Sequence, residues 1–181
     1  HTSAGRIQTD EGYRYYLNAL MKKKKLTEAE VDFIDKIYEL KIQELDDLLL
    51  EAPKILADFT HYASLVCLSE NDYDLHFQGI RYILEHPEFS DVRRAHKVLE
   101  AIEEKQELID IIKRNFSDSS TVYIGKEINC PEMENCSIVV SRFGNKEGRL
   151  ALIGPKRMAY DKVIPLVEYF AQVVSESLER F

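Results

Sequence analysis

At Ser117 the hydrophobic pattern of the chain changes period, and this switch limits the available folds more than any other feature. Before it, apolar residues recur every three or four positions. They run as Tyr13, Tyr16, Leu17, Leu20 and Met21, then Val31, Ile34, Ile37, Tyr38, Ile42, Leu45 and Leu49. Later come Val92, Ala95, Val98, Leu99, Ile102, Ile109 and Ile112. Such spacing lays an apolar stripe along one side of a helix. After the switch, residues 121–124 and 137–143 are short and β-branched, as strands are. Gly144-Asn145-Lys146-Glu147-Gly148 has the glycine placement of a hairpin loop, and 149–153 is the returning strand. Gly154-Pro155 stops it, and a last helix is expected over 158–178. Long helices, then a hairpin, then a helix predict the α+β class: an antiparallel sheet flanked by helices, with an N-terminal helical arm.

Local signals place the boundaries. Thr9 can cap a helix over 10–25. Thr27-Glu28-Ala29-Glu30 has the form of a capping box and opens a long helix. That helix is expected to end near Ala52, because proline disfavours helix in the residue before it; Pro53 then starts a new helix. Residues 65–68 read as a buried strand, and 75–85 are ambiguous between helix and strand. His86-Pro87-Glu88-Phe89 is a turn, after which Ser90 caps a helix over 91–115. Two long amphipathic helices ahead of the core imply helix-on-helix contact, within the chain or between two copies. The pattern does not separate these alternatives.

Charge is unevenly placed. Residues 1–25 carry six Lys and Arg against two acids, a net +4, which leaves −12 for residues 26–181 of the total −8. Phosphate backbones require clustered positive charge, so nucleic acid suits only the first segment. Lys22 to Lys25 also read as a solvated helix end, cations favouring the negative pole of the helix dipole. No apolar run approaches the roughly 18 residues of a membrane span, and no basic-then-apolar signal opens the chain. A cytoplasmic protein with no membrane partner is expected. The chain begins without Met on a small, polar, turn-like stretch, so a preceding segment is expected too.

The residue pattern carries no recognisable site of chemistry. Cys67, Cys130 and Cys136 are too few and too widely spaced for a disulfide framework or a zinc knuckle. His1, His61, His76, His86 and His96 lack metal spacing, and His61, among aromatics, reads as a packed, hydrogen-bonded histidine. No glycine-rich phosphate loop or nucleophile motif is present. Neither an enzyme, a cofactor nor a metal is expected. Gly154-Pro155-Lys156-Arg157-Met158 is the most unusual string. Where a strand meets a helix it can form an anion site or a tight turn with two exposed cations; place alone is weak evidence, and the turn is preferred.

Several strings together resemble one family, the HrcA repressors. His1-Thr2-Ser3-Ala4-Gly5-Arg6-Ile7-Gln8-Thr9-Asp10-Glu11-Gly12-Tyr13-Arg14-Tyr15-Tyr16 looks like its wing-and-linker signature. Ala52-Pro53-Lys54 through Thr60-His61-Tyr62-Ala63 is similar to its central helix, and Pro87-Glu88-Phe89-Ser90-Asp91 to its Pro-Glu-Phe turn. Gly154-Pro155-Lys156-Arg157-Met158-Ala159-Tyr160 with Val163-Ile164-Pro165-Leu166-Val167 resembles its C-terminal signature. Gln8 stands where the family usually has Pro, and Ala159 where Asp is common.

The resemblance implies a GAF-like regulatory domain over 52–181, a helical linker and dimerisation arm over 10–51, and a wing remnant of a winged-helix domain over 1–9. His1, Thr2, Ser3 and Arg6 are then the candidate DNA-backbone contacts. Pro53, His61, Pro87, Phe89, Gly154, Pro155, Arg157, Met158 and Tyr160 form a structural signature. It further implies a homodimer that represses chaperone operons at an inverted-repeat operator and is assisted by a GroEL-type chaperonin. The stretch between Val66 and His86 is shorter than the family pattern, in which an inserted dimerising domain falls near 68–75. A GAF-type module sensing a small ligand is the alternative.

With −12 over residues 26–181 and no recognition helix in the pattern, the 181-residue chain should bind duplex DNA weakly and without sequence preference. Fluorescence anisotropy at physiological salt checks this; clear preference for an inverted-repeat operator over scrambled duplex would contradict it.

Overall fold

A computed structural model of the chain describes residues 8–39, 45–68, 75–114, 120–144 and 148–179. Helix α1 (Asp10–Tyr15) runs into a π-helical turn (Tyr16–Leu20), followed by α2 (Glu28–Glu39) and α3 (Leu45–Thr60). Strands β1 (Ala63–Leu68) and β2 (Leu75–Gln78) precede α4 (Ile80–Glu85), a 3-10 turn (Pro87–Phe89), α5 (Val92–Glu103) and α6 (Lys105–Lys113). Then come β3 (Thr121–Ile124), 3-10 turns at Gly125–Ile128 and Pro131–Met133, β4 (Cys136–Phe143), β5 (Gly148–Pro155) and α7 (Tyr160–Leu178). The five strands form one sheet in the order β2-β1-β5-β4-β3, every neighbouring pair antiparallel. The α+β class expected from the periodicity switch is the class observed.

Helices cover the sheet on both faces. Side chains alternate along each strand, so β4 and β5 feed two cores at once. Val66, Val139, Leu150 and Leu152 face one side, where Ile34 of α2, Leu48, Leu49 and Leu56 of α3, and Val167, Phe170 and Val174 of α7 meet them. Leu65, Ile138, Val140, Ala151 and Ile153 face the other, against Ile83, Val98, Ile102, Leu108, Ile109 and Ile112. Every residue of β5 is buried. Burial of each such Leu, Ile or Val stabilises the fold by roughly 1.5–3 kcal/mol.

This double cover explains where local signals misled. The helix expected to break at Pro53 runs through it: Pro53 lies inside α3 and is buried. Interior proline costs a helix about 3 kcal/mol, which burial of Leu48, Leu49, Ala52 and Leu56 on the sheet outweighs. The helix expected over 91–115 is two, with Glu104 (ψ 67) between them. Val92, assigned inward, is 81% exposed. The break lets α6 bury Leu108, Ile109, Ile111 and Ile112, a wider arc than one straight stripe offers. The ambiguous 75–85 stretch is both things: β2, then Gly79 with φ +74, then α4.

The first helix also ends early. Thr9 caps it as expected, its side chain accepting from the Gly12 amide at 3.2 Å. Yet helical structure stops at Leu20, and Met21 is extended. Lys22 to Lys25 therefore do not sit at a helix end. The Lys24 amide donates to the Asp161 carbonyl (2.8 Å), and the Lys23 and Lys24 ammoniums bind Glu168 (2.5 Å) and Asp161 (2.6 Å) of α7. The capping box is present: Thr27 N and Oγ1 donate to Glu30, and Glu30 N donates back to Thr27 Oγ1. Within the chain, α3 packs on the sheet and on α7, and α2 packs on α7.

Gly79 separates β2 from α4 in a left-handed conformation, and a Cβ there would stand 2.5 Å from Ala57 Cβ and 2.9 Å from the Tyr62 carbonyl. Gly79→Ala should destabilise the chain by roughly 2–3 kcal/mol, because neither the backbone angle nor the neighbouring carbonyl can yield cheaply. Urea titration provides the measurement.

Candidate functional site

Gly154, Pro155, Arg157, Met158 and Tyr160 lie at one corner, where the N-terminal segment meets the strand-to-helix junction after β5. Gly154 is the hub. Its φ is ordinary, but a Cβ would lie 2.5 Å from Met158 Cε and 2.6 Å from the Tyr62 ring. Close approach therefore requires glycine here. Pro155 is buried, Met158 is 5% exposed and Tyr160 is 1% exposed. The Tyr160 hydroxyl donates to the Lys156 carbonyl (2.7 Å) and shares a hydrogen bond with Ser137 (2.6 Å). Burial raises this phenol well above its ordinary pKa.

The two cations of the junction are already bound to carboxylates. Lys156 Nζ donates to Asp10 at 2.7 Å, and Arg157 grips Glu88, the central residue of the Pro-Glu-Phe turn, through Nε and Nη2. Asp10 also accepts from the Lys126 amide at 3.0 Å. Burial works against its ionisation, but the Lys126 amide and the Lys156 ammonium outweigh it and hold the carboxyl below its ordinary 3.8. Burial likewise opposes the Glu88 charge, and Arg157 overrides it, again lowering the pKa. Four residues further, Arg14 Nε donates to Glu127 (2.9 Å), and its Nη2 donates to the same carboxylate. Tyr13 meets Tyr160 edge-on, with centroids 6.3 Å apart.

A cleft of about 490 Å³ opens beside these pairs, lined by Gln8, Tyr13, Glu88, Arg94, Asn135, Lys156 and Arg157. Each lining residue carries a polar or charged group, while more of the lining surface is apolar than polar.

The other expected residues fall elsewhere. Phe89, 3% exposed, anchors the Pro87 turn in the second core. His61 is not packed as expected: its side chain is 67% exposed, 4.8 Å from the Tyr82 ring. Its backbone carries the constraint, with φ 54 and its amide bound to the Ala57 carbonyl, so it ends α3 in the left-handed form that histidine tolerates. Tyr62, its neighbour, stacks on His86 with centroids 5.3 Å apart. His1, Thr2, Ser3 and Arg6 lie outside the described residues. Burial pushes the Cys136 thiol up to about 12 and raises Cys130 as well, so neither has the lowered pKa of a reactive cysteine.

Asp10, Arg14 and Glu88 lie inside motif strings that give them no role of their own, and Gly125, Lys126 and Glu127 lie in no motif. The pairs they form link positions 146, 113 and 69 residues apart, which no local spacing reveals.

Fold and junction together define an α+β module to which an N-terminal segment is strapped by ion pairs, the Asp10–Lys156 pair being the most covered. The family described as the HrcA protein C-terminal domain matches residues 7–164, and the chain belongs to that family. The heat-inducible transcription repressor HrcA of Carboxydothermus hydrogenoformans is 26% identical over 277 aligned positions, covering 97% of this chain and 81% of the relative. Against a chain of 181 residues, that alignment leaves at least 96 positions of the relative without a counterpart. The heat-inducible transcription repressor HrcA of Syntrophobacter fumaroxidans is 31% identical over 172 positions, covering 92% of this chain and 47% of the relative. Among solved structures, a crystal structure described only as that of a hypothetical protein shares the fold. Its TM-score is 0.68 at 15% identity, covering 97% of this chain and 78% of the other.

Two measurements test the junction. Gly154→Val should cost roughly 1–3 kcal/mol through overpacking against Tyr62 and Met158, and Arg157→Ala less, because its partner contact is more than half exposed on the arginine side. Asp10→Asn should cost about 1.5–3 kcal/mol at pH 7, the range for hydrogen bonds to a charged group. Because the folded pKa is lowered, this contribution is complete above the ordinary carboxylate value and is lost as pH falls through the lowered one. The gap between wild type and Asp10→Asn in denaturant titrations should therefore narrow below about pH 4; a gap that widens on acidification would contradict the assignment.

Proposed function

We propose that this chain is the regulatory and dimerisation part of a heat-inducible transcription repressor that silences chaperone operons. The observation that carries the reading is the family match over residues 7–164, together with relatives named as heat-inducible transcription repressors. Operator DNA is read by a winged-helix domain ahead of residue 10, with residues 1–9 as the end of its wing. Residues 10–51 are the linker and arm, and residues 52–181 the GAF-like regulatory domain. The repressor acts in the cytoplasm as a homodimer on an inverted repeat, and a GroEL-type chaperonin maintains its active form.

Two-fold symmetry is the physical argument for the dimer, since an inverted-repeat site is matched by a two-fold protein. Ile34, Leu48, Leu49 and Leu56 of the α2 and α3 stripes are buried within the chain, so these four residues do not supply the contact. We place the additional residues of longer relatives at the β1–β2 connection. It joins Leu68 of β1 to Leu75 of the edge strand β2, and Cys67 and Leu75 are register partners, so chain inserted between them leaves the strand pairing in place.

The full-length repressor, restored to a strain lacking it, should silence a chaperone-operon reporter at growth temperature and release it on heating. Silencing that never occurs, with the protein soluble and expressed, would remove the reading. Sedimentation equilibrium of the 181-residue chain at micromolar concentration should give a dimer mass; a monomer would move the dimer contact outside these residues.

A further inference from the structure

The strap of residues 8–24 is held far more firmly than a tether requires. Its helix is capped by Thr9, its first acid accepts two hydrogen bonds from the body, and its arginine binds Glu127. Its far end is pinned by the Lys24 amide on Asp161. At the Asp10 contact the side chains are only 15% (Asp10) and 25% (Lys156) exposed. The body is shaped to receive Asp10: Gly125 adopts φ +53, and a Cβ there would lie 2.3 Å from the Asp10 carboxylate. Only glycine leaves that space. A flexible linker transmits distance but no orientation; a segment docked through a half-buried charge pair transmits orientation too.

We propose that Asp10 and Lys156 are positioning residues that fix the angle at which the preceding DNA-binding domain leaves the regulatory body. This rests on the repressor reading given above. Asp10 sits two residues after Gln8, at the last place where the body controls the chain's direction before it leaves the described fold. The ammonium of Lys156 and the Lys126 amide approach its two carboxylate oxygens separately, so the carboxylate plane is held as well as its position. In a two-fold repressor, a fixed exit angle appears as a preference for one spacing between operator half-sites.

The test uses the full-length repressor with Asp10→Asn, Lys156→Met, the double variant and Lys156→Arg. Mobility shifts compare the natural operator with one whose spacer is lengthened by roughly half a helical turn, about 5 bp. Wild type should prefer the natural spacing, and both single variants should lose about tenfold of that preference, the size expected when a charge-assisted contact is removed. The double variant should be no worse than the poorer single, because both remove one contact. Lys156→Arg, which keeps the charge and the reach, should retain the preference. A purely stabilising role would lower the active fraction without moving this ratio.

In the 181-residue chain, trypsin should cleave at Arg14 and Lys22 to Lys25 faster in the two single variants than in wild type. Unchanged spacing preference in variants that still bind the operator, or unchanged cleavage, would overturn the inference and leave the repressor reading intact. A wild-type protein that binds no operator would overturn both.

Discussion

Everything in this fold depends on a sheet whose two faces must both be kept from water. Strands β4 and β5 are apolar on alternate positions toward both sides: Val139, Leu150 and Leu152 face one way, and Ile138, Val140 and Ile153 the other. An antiparallel sheet can leave one face wet; this one cannot. Helices α2, α3 and α7 cover one face and α4, α5 and α6 the other. The chain ahead of β1 is thus part of the core, and Ile34, Leu48 and Leu56 are as buried as the strands beneath them.

That requirement brings the N-terminal segment to the corner after β5. Because α7 and the early helices share one face, the segment feeding α2 runs across the first turn of α7 and past the junction after β5. Lys23, Lys24, Asp10 and Arg14 find their partners along this path. The Asp10–Lys156 pair is partly buried, hydrogen-bonded and set in geometry by Gly125, which distinguishes it from the more exposed pairs of Lys23 and Lys24.

The relation between sequence and structure is clearest at Pro53, His61 and Asp10. Proline rules placed a helix boundary at Pro53, and burial on the sheet overrode them. His61 was assigned to packing by its aromatic company, but its work is in its backbone, as the left-handed end of α3. Asp10 was read only as the first residue after a cap, and its partners Lys126 and Lys156 lie more than a hundred residues away. At Pro53 and Asp10 the deciding interaction is non-local, whereas at His61 it is the local backbone geometry of a helix end.

The sequence by itself determined the class of the fold, the strands of the central hairpin, the caps at Thr9 and Thr27, and the family. These follow from hydrophobic period, from hydrogen bonds spanning three residues and from motif strings, all written within short windows of chain. Only the tertiary structure decided that the early helices cover their own sheet, that α3 continues through Pro53, and that Asp10, Glu88, Lys156 and Arg157 meet at one corner. Those outcomes depend on which face each element must bury and on charges brought together across the whole chain, and local spacing carries neither.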